Sequence, residues 1–93
     1  MPEVHFSIRW PDGTRESCYS PSTAIRSHFT TGTAYQLPEF LARSRAGLTA
    51  ASERVRARYG SACSLALGQL ARIEARAKDY PPDSIVTFES FQE

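Results

Sequence analysis

Between Trp10 and Tyr35 the chain reads WPDGTRESCYSPSTAIRSHFTTGTAY, so a turn, a strand, a helix start and a glycine-containing loop follow one another within 26 residues. Upstream, Val4, Phe6, Ile8 and Trp10 alternate with His5, Ser7 and Arg9, the pattern of a half-buried strand. Pro11 presets a turn dihedral, Asp12 can bond its own local backbone and Gly13 accepts a positive φ. Pro-Asp-Gly therefore joins the first strand to a second, Thr14–Tyr19, as a hairpin. Two registers fit. A three-residue loop sets Phe6 opposite Cys18, whereas a four-residue loop sets Phe6 opposite Tyr19 and Trp10 opposite Arg15. The second is preferred, because it creates aromatic and cation–π pairs across the strands.

Ser20-Pro21-Ser22 stops the second strand, since Pro cannot donate to a ladder and Ser caps helices well. A short helix is expected over Thr23–His28, with Ile25 and Phe29 turned inward. Thr30–Thr33 then reads as a loop. From Leu37 to Tyr59, helical spacing aligns Leu37, Phe40, Leu41, Leu48, Val55 and Tyr59, and Pro38 suits a first turn. Gly47 in the middle of this helix costs about 1 kcal/mol relative to Ala and is a place to bend or interrupt it. Gly60 is a natural C′ residue. A second helix from Ser61 buries Cys63, Ala66, Leu67, Leu70, Ile73 and Ala77, and Pro81-Pro82-Asp83 follows it. Ser84–Phe91 has the β-branched and aromatic content of a closing strand.

The expected architecture is one α+β domain over residues 1–93. A small antiparallel sheet, N-terminal hairpin plus C-terminal strand, is packed on one face by two long helices and one short helix. Such a sheet leaves edges, and residues 84–91 could also pair with a second copy, which leaves a homodimer open.

With 41% hydrophobic and 23% charged residues and a net charge of +1, disorder is disfavoured. No apolar run approaches the roughly 18 residues of a membrane span, and Met1-Pro2-Glu3 lacks a basic leader, so a cytoplasmic location is expected. Charge is unevenly spread: residues 1–39 sum to −1, residues 40–78 to +6 and residues 79–93 to −4. The basic helices could meet an acidic partner, or the acidic end of this chain or of a sister chain.

No phosphate loop, nucleophile elbow, paired-carboxylate signature or metal-ligand spacing occurs, so neither cofactor nor catalytic set is assigned. Cys18 and Cys63 are 45 positions apart and read as free thiols. A zinc set of Cys18, Cys63, His5 and His28 lacks the close ligand pairs that structural zinc uses. The capping segment Tyr19-Ser20-Pro21-Ser22 can face an anion but reads first as a strand end and helix cap. His28 beside Thr30–Thr33 and Tyr35 suggests a polar pocket, yet no nucleophile or orienting acid accompanies the histidine. Arg54, Arg56 and Arg58 fan around their helix, which suits a solvated face more than a groove-reading helix. A pI near 7.8 and the lack of a recognised motif disfavour nucleic acid. Cys63 near a helix start could be activated, but its apolar stripe favours a packing role.

WPDG at Trp10–Gly13, CYSPST at Cys18–Thr23, GTAY at Gly32–Tyr35, RVRARYG at Arg54–Gly60 and QLARIE at Gln69–Glu74 together carry a resemblance over nearly the whole chain. The chain resembles the small nitrogen-starvation-response proteins encoded in bacterial gene clusters with a nitrilase. This resemblance implies a cytoplasmic bacterial protein made alongside a nitrilase, a radical-SAM-type protein, an acetyltransferase-like protein and a flavoprotein, and it carries over no catalytic residue. The leading expectation is a non-enzymatic accessory that binds a protein of such a pathway through a strand edge or the Arg-rich helix. The rival is a small enzyme or ligand-binding protein with a pocket between hairpin and helices lined by Tyr19, His28, Thr33, Tyr35 and Arg58. Tyr19, His28, Thr33, Tyr35, Arg56 and Arg58 are thus the candidate ligand- or partner-binding residues.

Overall fold

Alternating burial organises the N-terminal hairpin. The computed structural model describes residues 3–61 and 64–92. Strand β1 (Val4–Arg9) buries Val4, Phe6 and Ile8, and β2 (Arg15–Ser20) buries Cys18 and Ser20 on the same side. The register sets Phe6 opposite Cys18 and Arg9 opposite Arg15, which corrects the four-residue-loop expectation. Turn chemistry decides it. Gly13 N–H donates to the Trp10 carbonyl and Trp10 N–H to the Thr14 carbonyl, Asp12 Oδ1 accepts from Thr14 N–H at 3.0 Å, and Gly13 has a φ of 89°. These bonds close a three-residue loop, and the shift keeps Cys18 rather than Tyr19 on the buried face.

Ser22 caps a 3₁₀ helix (Thr23–His28) by accepting from Ala24 N–H at 3.0 Å. Ile25 is buried, and so is Phe29 just beyond the helix. The expected loop then ends early. Thr33–Gln36 forms a fourth strand, β3, that passes directly into helix α1 (Leu37–Tyr59). Helix α2 (Ser64–Ala77) returns, and β4 (Ile85–Gln92) closes the sheet in the order β2-β1-β4-β3, every pairing antiparallel. The four-stranded sheet with helices on one face makes the fold α+β. Strand β4 is paired on both sides within the chain, by β1 and by β3.

Between the sheet and the helices lie Phe6, Phe29, Phe40 and Phe88, with the Phe29 and Phe88 rings stacked at 4.5 Å. Helix α1 runs through Gly47 without interruption. A Cβ at that position would stand 2.4 Å from Ile25 Cδ1 and 3.3 Å from His28 Cβ. The glycine therefore lets the 3₁₀ helix cross α1 at close range, a packing use that outweighs its propensity cost.

Helix α2 buries Ala66, Leu70, Ile73 and Ala77 as expected, but Gln69 takes the place assigned to Leu67, which is 45% exposed. Gln69 Oε1 accepts the outward-facing N–H of Tyr19 at 3.0 Å. The helix thereby protects a donor on the free edge of β2. Cys63 and its expected roles lie outside the described residues. The open face of the sheet carries His5, Ser7, Arg9, Ser17 and Tyr19 from the hairpin, as a half-solvated antiparallel sheet should.

Candidate interaction site

Four polar constellations stand out, and three satisfy themselves internally. The first lies where a pocket was expected. Arg43 of α1 donates to the His28 carbonyl at 3.0 Å, pairs with Glu39 at 2.9 Å and lies over the Tyr35 ring at 5.1 Å. The Tyr35 hydroxyl accepts from Thr30 N–H at 2.9 Å, and its ring meets Phe29 edge-on. Arg43 therefore bridges the His28 backbone and the Tyr35 ring, with Thr33 on the same strand as Tyr35 and Phe29 packed on the Tyr35 ring.

The other candidates stand apart. Tyr19 lies on the opposite edge strand, three strand spacings or about 14 Å across the sheet, with its ring 5.7 Å from His5. Arg58 is 15 positions along α1 from Arg43, about 22 Å. The six candidate residues thus do not line one cavity. His5 and Cys18 also point to opposite faces of the sheet. Among the described residues no group of three or more His, Cys, Asp or Glu side chains is placed to hold a metal ion.

A second constellation clamps the hairpin turn to the end of α2. Arg76 reaches Thr14 Oγ1 at 2.5 Å, Asp12 Oδ2 and Glu16 Oε1 each at 3.6 Å, and the face of Trp10 at 5.4 Å. Trp10 donates its indole N–H to Glu16 at 2.8 Å and stacks on Tyr80. The Thr14 hydroxyl and N–H hold the Asp12 carboxyl down to about 2, with Tyr80 and Arg76 adding to the effect. Arg76 supplies the cation–π contact to Trp10 that Arg15 was expected to make. The WPDG motif thus secures the turn, and Asp12 and nearby Glu16 are already paired.

Glu89 forms the third constellation. The β1–β4 register shifts between Ser7 and Ile8, and the bulge leaves Glu89 as the extra residue on β4. Its carboxylate meets Arg9 at 3.2 Å, Arg15 at 3.3 Å and the Ser7 hydroxyl at 3.3 Å. An acid of the C-terminal segment therefore binds the sheet's arginines rather than the basic helices.

The fourth constellation is unsatisfied. Helix α1 has 23 residues, about 34 Å, whereas the longest strand has eight, about 26 Å. At about 100° per residue, Arg54, Val55, Arg58 and Tyr59 continue the arc that Phe40, Ser44, Gly47, Leu48 and Ala51 bury. Of the described residues 53–61, Val55 alone is half-buried and the others are exposed. Tyr59 is 59% exposed, and Leu65 in the first turn of α2 is 63% exposed. Arg54 reaches Thr23 Oγ1 at 3.5 Å and Arg58 covers the Tyr59 ring at 5.8 Å, but neither makes an ion pair among the described residues. Arg56 pairs with Glu53 at 3.5 Å. The overhang presents arginines beside aromatic and aliphatic surface, a combination enriched where proteins bind proteins. Arg56, Arg58 and the Arg54–Tyr59 run were legible in the sequence, whereas Leu65 was not, because it falls beside the apolar stripe of its helix.

Among the described residues no helix is long and apolar enough to cross a membrane. No curated protein and no solved structure matches the chain. A family model described as nitrogen starvation-induced protein NitG matches residues 5–91, a span that contains all four strands' paired cores, both long helices and every constellation above. The chain therefore belongs to the family of the nitrogen starvation-induced protein NitG.

Proposed function

We propose that the protein is a non-enzymatic accessory of a bacterial nitrogen-scavenging system, encoded with a nitrilase, and that it works by holding another protein at the overhanging end of α1. The observation that carries this reading is the overhang itself. Two guanidiniums that meet no carboxylate among the described residues, Arg54 and Arg58, stand one helical turn apart, with the exposed Tyr59 ring under Arg58 and exposed Leu65 in the first turn of α2. The partner that fits offers carboxylates to the arginines and an apolar side chain to the Val55–Tyr59 arc. Arg56, at the same end, adds positive charge to the rim, where charge speeds encounter more than it tightens binding.

The test is quantitative affinity purification from nitrogen-starved cells of the native host, comparing the tagged wild type with Arg54→Glu/Arg58→Glu and with Tyr59→Ala. The expected result is one protein recovered in stoichiometric amount with wild type and lost with both variants, while circular dichroism shows unchanged folding. Recovery of no partner, or equal recovery by all three, refutes the proposal. Co-elution of a small molecule in place of a protein shifts the case to ligand binding.

A further inference from the structure

The outer face of α1, away from the sheet, has a different character from the overhang. Ala42, Ala46, Thr49, Glu53 and Arg56 recur at four- and three-residue steps along it, with Arg45 beside Ala46, and all six are exposed. Two open grooves flank Arg45. One of about 390 Å³ is lined by Leu41, Arg45, Glu74, Ala77 and Lys78, and the other of about 590 Å³ by Ala42, Arg45, Ala46, Thr49 and Ala50. Leu67, 45% exposed, lies two turns from Glu74 on the same side of α2. The seam is small and flat enough for a second helix to approach closely.

The charges on this face determine which helix fits. From Glu39 to Arg56 they alternate as Glu39, Arg45, Glu53, Arg56. When the same helix is laid antiparallel about Thr49, Arg45 falls opposite Glu53 of the second copy, and Glu53 opposite its Arg45. Arg56 falls within one turn of Glu39 in the same way. A parallel, in-register copy would set each charge against its like. The four charges cancel, so the face offers nothing to a polyanion, and a partner of one dominant sign gains little from it.

We infer that α1 packs antiparallel on α1 of a second copy of this chain, with the two-fold axis at Thr49 and Arg45–Glu53 pairs on either side of it. Such a contact is isologous and closes at two chains. Arg45 already donates to Glu74 at 2.5 Å, and its remaining donors can serve a second carboxylate. The molecule measures 38 × 23 × 17 Å, so its long faces bracket the about 800 Å² per partner that a standard interface takes. The sheet edges remain outside this contact, and the two α1 overhangs point to opposite ends of the assembly. The inference goes beyond the proposed accessory role and does not depend on it.

Sedimentation equilibrium on the full chain gives the first reading, with a mass of twice 10.3 kDa expected. Glu53→Arg brings arginine against Arg45 on both sides of the axis and is expected to weaken association about 10–100-fold. The charge swap Arg45→Glu/Glu53→Arg/Glu74→Arg, which restores both the intrachain pair and the interchain pair, is expected to recover it. Thr49→Cys in a Cys63→Ser background tests the axis, because Cα atoms 4.4–6.8 Å apart can be joined by a disulfide. Oxidation is expected to give a covalent dimer from Thr49→Cys and none from Ala57→Cys, whose two copies lie about 24 Å apart in this arrangement. A monomeric wild type overturns the inference. So does a dimer that Glu53→Arg leaves intact, or one in which Thr49→Cys fails to cross-link.

Discussion

Gly47 offers a perturbation whose sign can be reversed by a second one. Replacing it with Ala adds one methyl group to a helix interior, where Ala is favoured over Gly by about 1 kcal/mol. That methyl would sit 2.4 Å from Ile25 Cδ1 and 3.3 Å from Cβ and Cγ of His28. Ile25 is fully buried, so its terminal carbon must turn away within the core, and overpacking of this kind costs about 1–3 kcal/mol. The expected net effect of Gly47→Ala is a destabilisation of about 1 kcal/mol.

Ile25→Val removes the Cδ1 atom itself and alone costs about 0.5–1.5 kcal/mol. In that background the added methyl meets only the 3.3 Å contacts with His28, and the helix-propensity gain dominates. Gly47→Ala should then be neutral to stabilising, which makes the coupling between the two sites about 1–2 kcal/mol. Urea unfolding of the wild type, both single variants and the double variant measures it, provided the slopes agree. Additive effects, or a stabilising Gly47→Ala in the wild-type background, would refute the close-approach account of this glycine.

Two further expectations concern titration. The Asp12 carboxyl, held down to about 2 from 3.8, adds stability that is fully present above pH 3.8 and is lost as pH falls toward 2. Asp12→Asn should therefore flatten the acid limb of a stability-against-pH curve over that window, and an unchanged limb would contradict the turn geometry. Burial, with a smaller push from Glu16, raises the Cys18 thiol to about 12 from 9.0. Its contribution is present below pH 9 and is lost as pH rises through 9 toward 12. In Cys63→Ser, a thiol reagent at pH 8 should leave Cys18 untouched until denaturant is added, and rapid labelling of the native protein would place the side chain elsewhere.

How far the fold could be read from the sequence depended on whether local chemistry and tertiary contacts agreed. Leu37–Tyr59 was legible because its apolar spacing, the early Pro38 and the terminal Gly60 all specify the same helix. Gly60 adopts a φ of 85° and donates its N–H to the Arg56 carbonyl at 2.8 Å. Strand β3 was not legible. Its four residues abut a helix and are too few to show a period of two, and pairing with Val86 and Phe88 makes them a strand. The hairpin register was misread because cross-strand pair preferences for Phe6 and Trp10 were set against turn geometry, and the turn geometry is the stronger constraint. Gln69 was passed over because a polar residue on a helix reads as outward-facing, whereas here it protects the edge N–H of Tyr19.

The candidate site divides along the same line. That α1 keeps its apolar arc through Val55 and Tyr59 was visible in the sequence. Where the sheet beneath it stops was not, because that depends on strand lengths and on the order β2-β1-β4-β3. The basic residues of the overhang have an explanation that needs no partner. Arg56 and Arg58 occupy the last turn of α1, where positive charge complements the helix dipole by about 0.3–1 kcal/mol each. With the Glu53–Arg56 pair and the left-handed cap at Gly60, they help a largely exposed helix end remain helical. None of this accounts for Tyr59 or Leu65. An overhang selected only to be a stable, solvated helix end would carry alanine or a further charge at those positions, since exposed aromatic and leucine side chains add nothing to its stability. The case for a docked protein therefore rests more on these two side chains than on the arginines around them, and Tyr59→Ala tests it more sharply than reversing a charge.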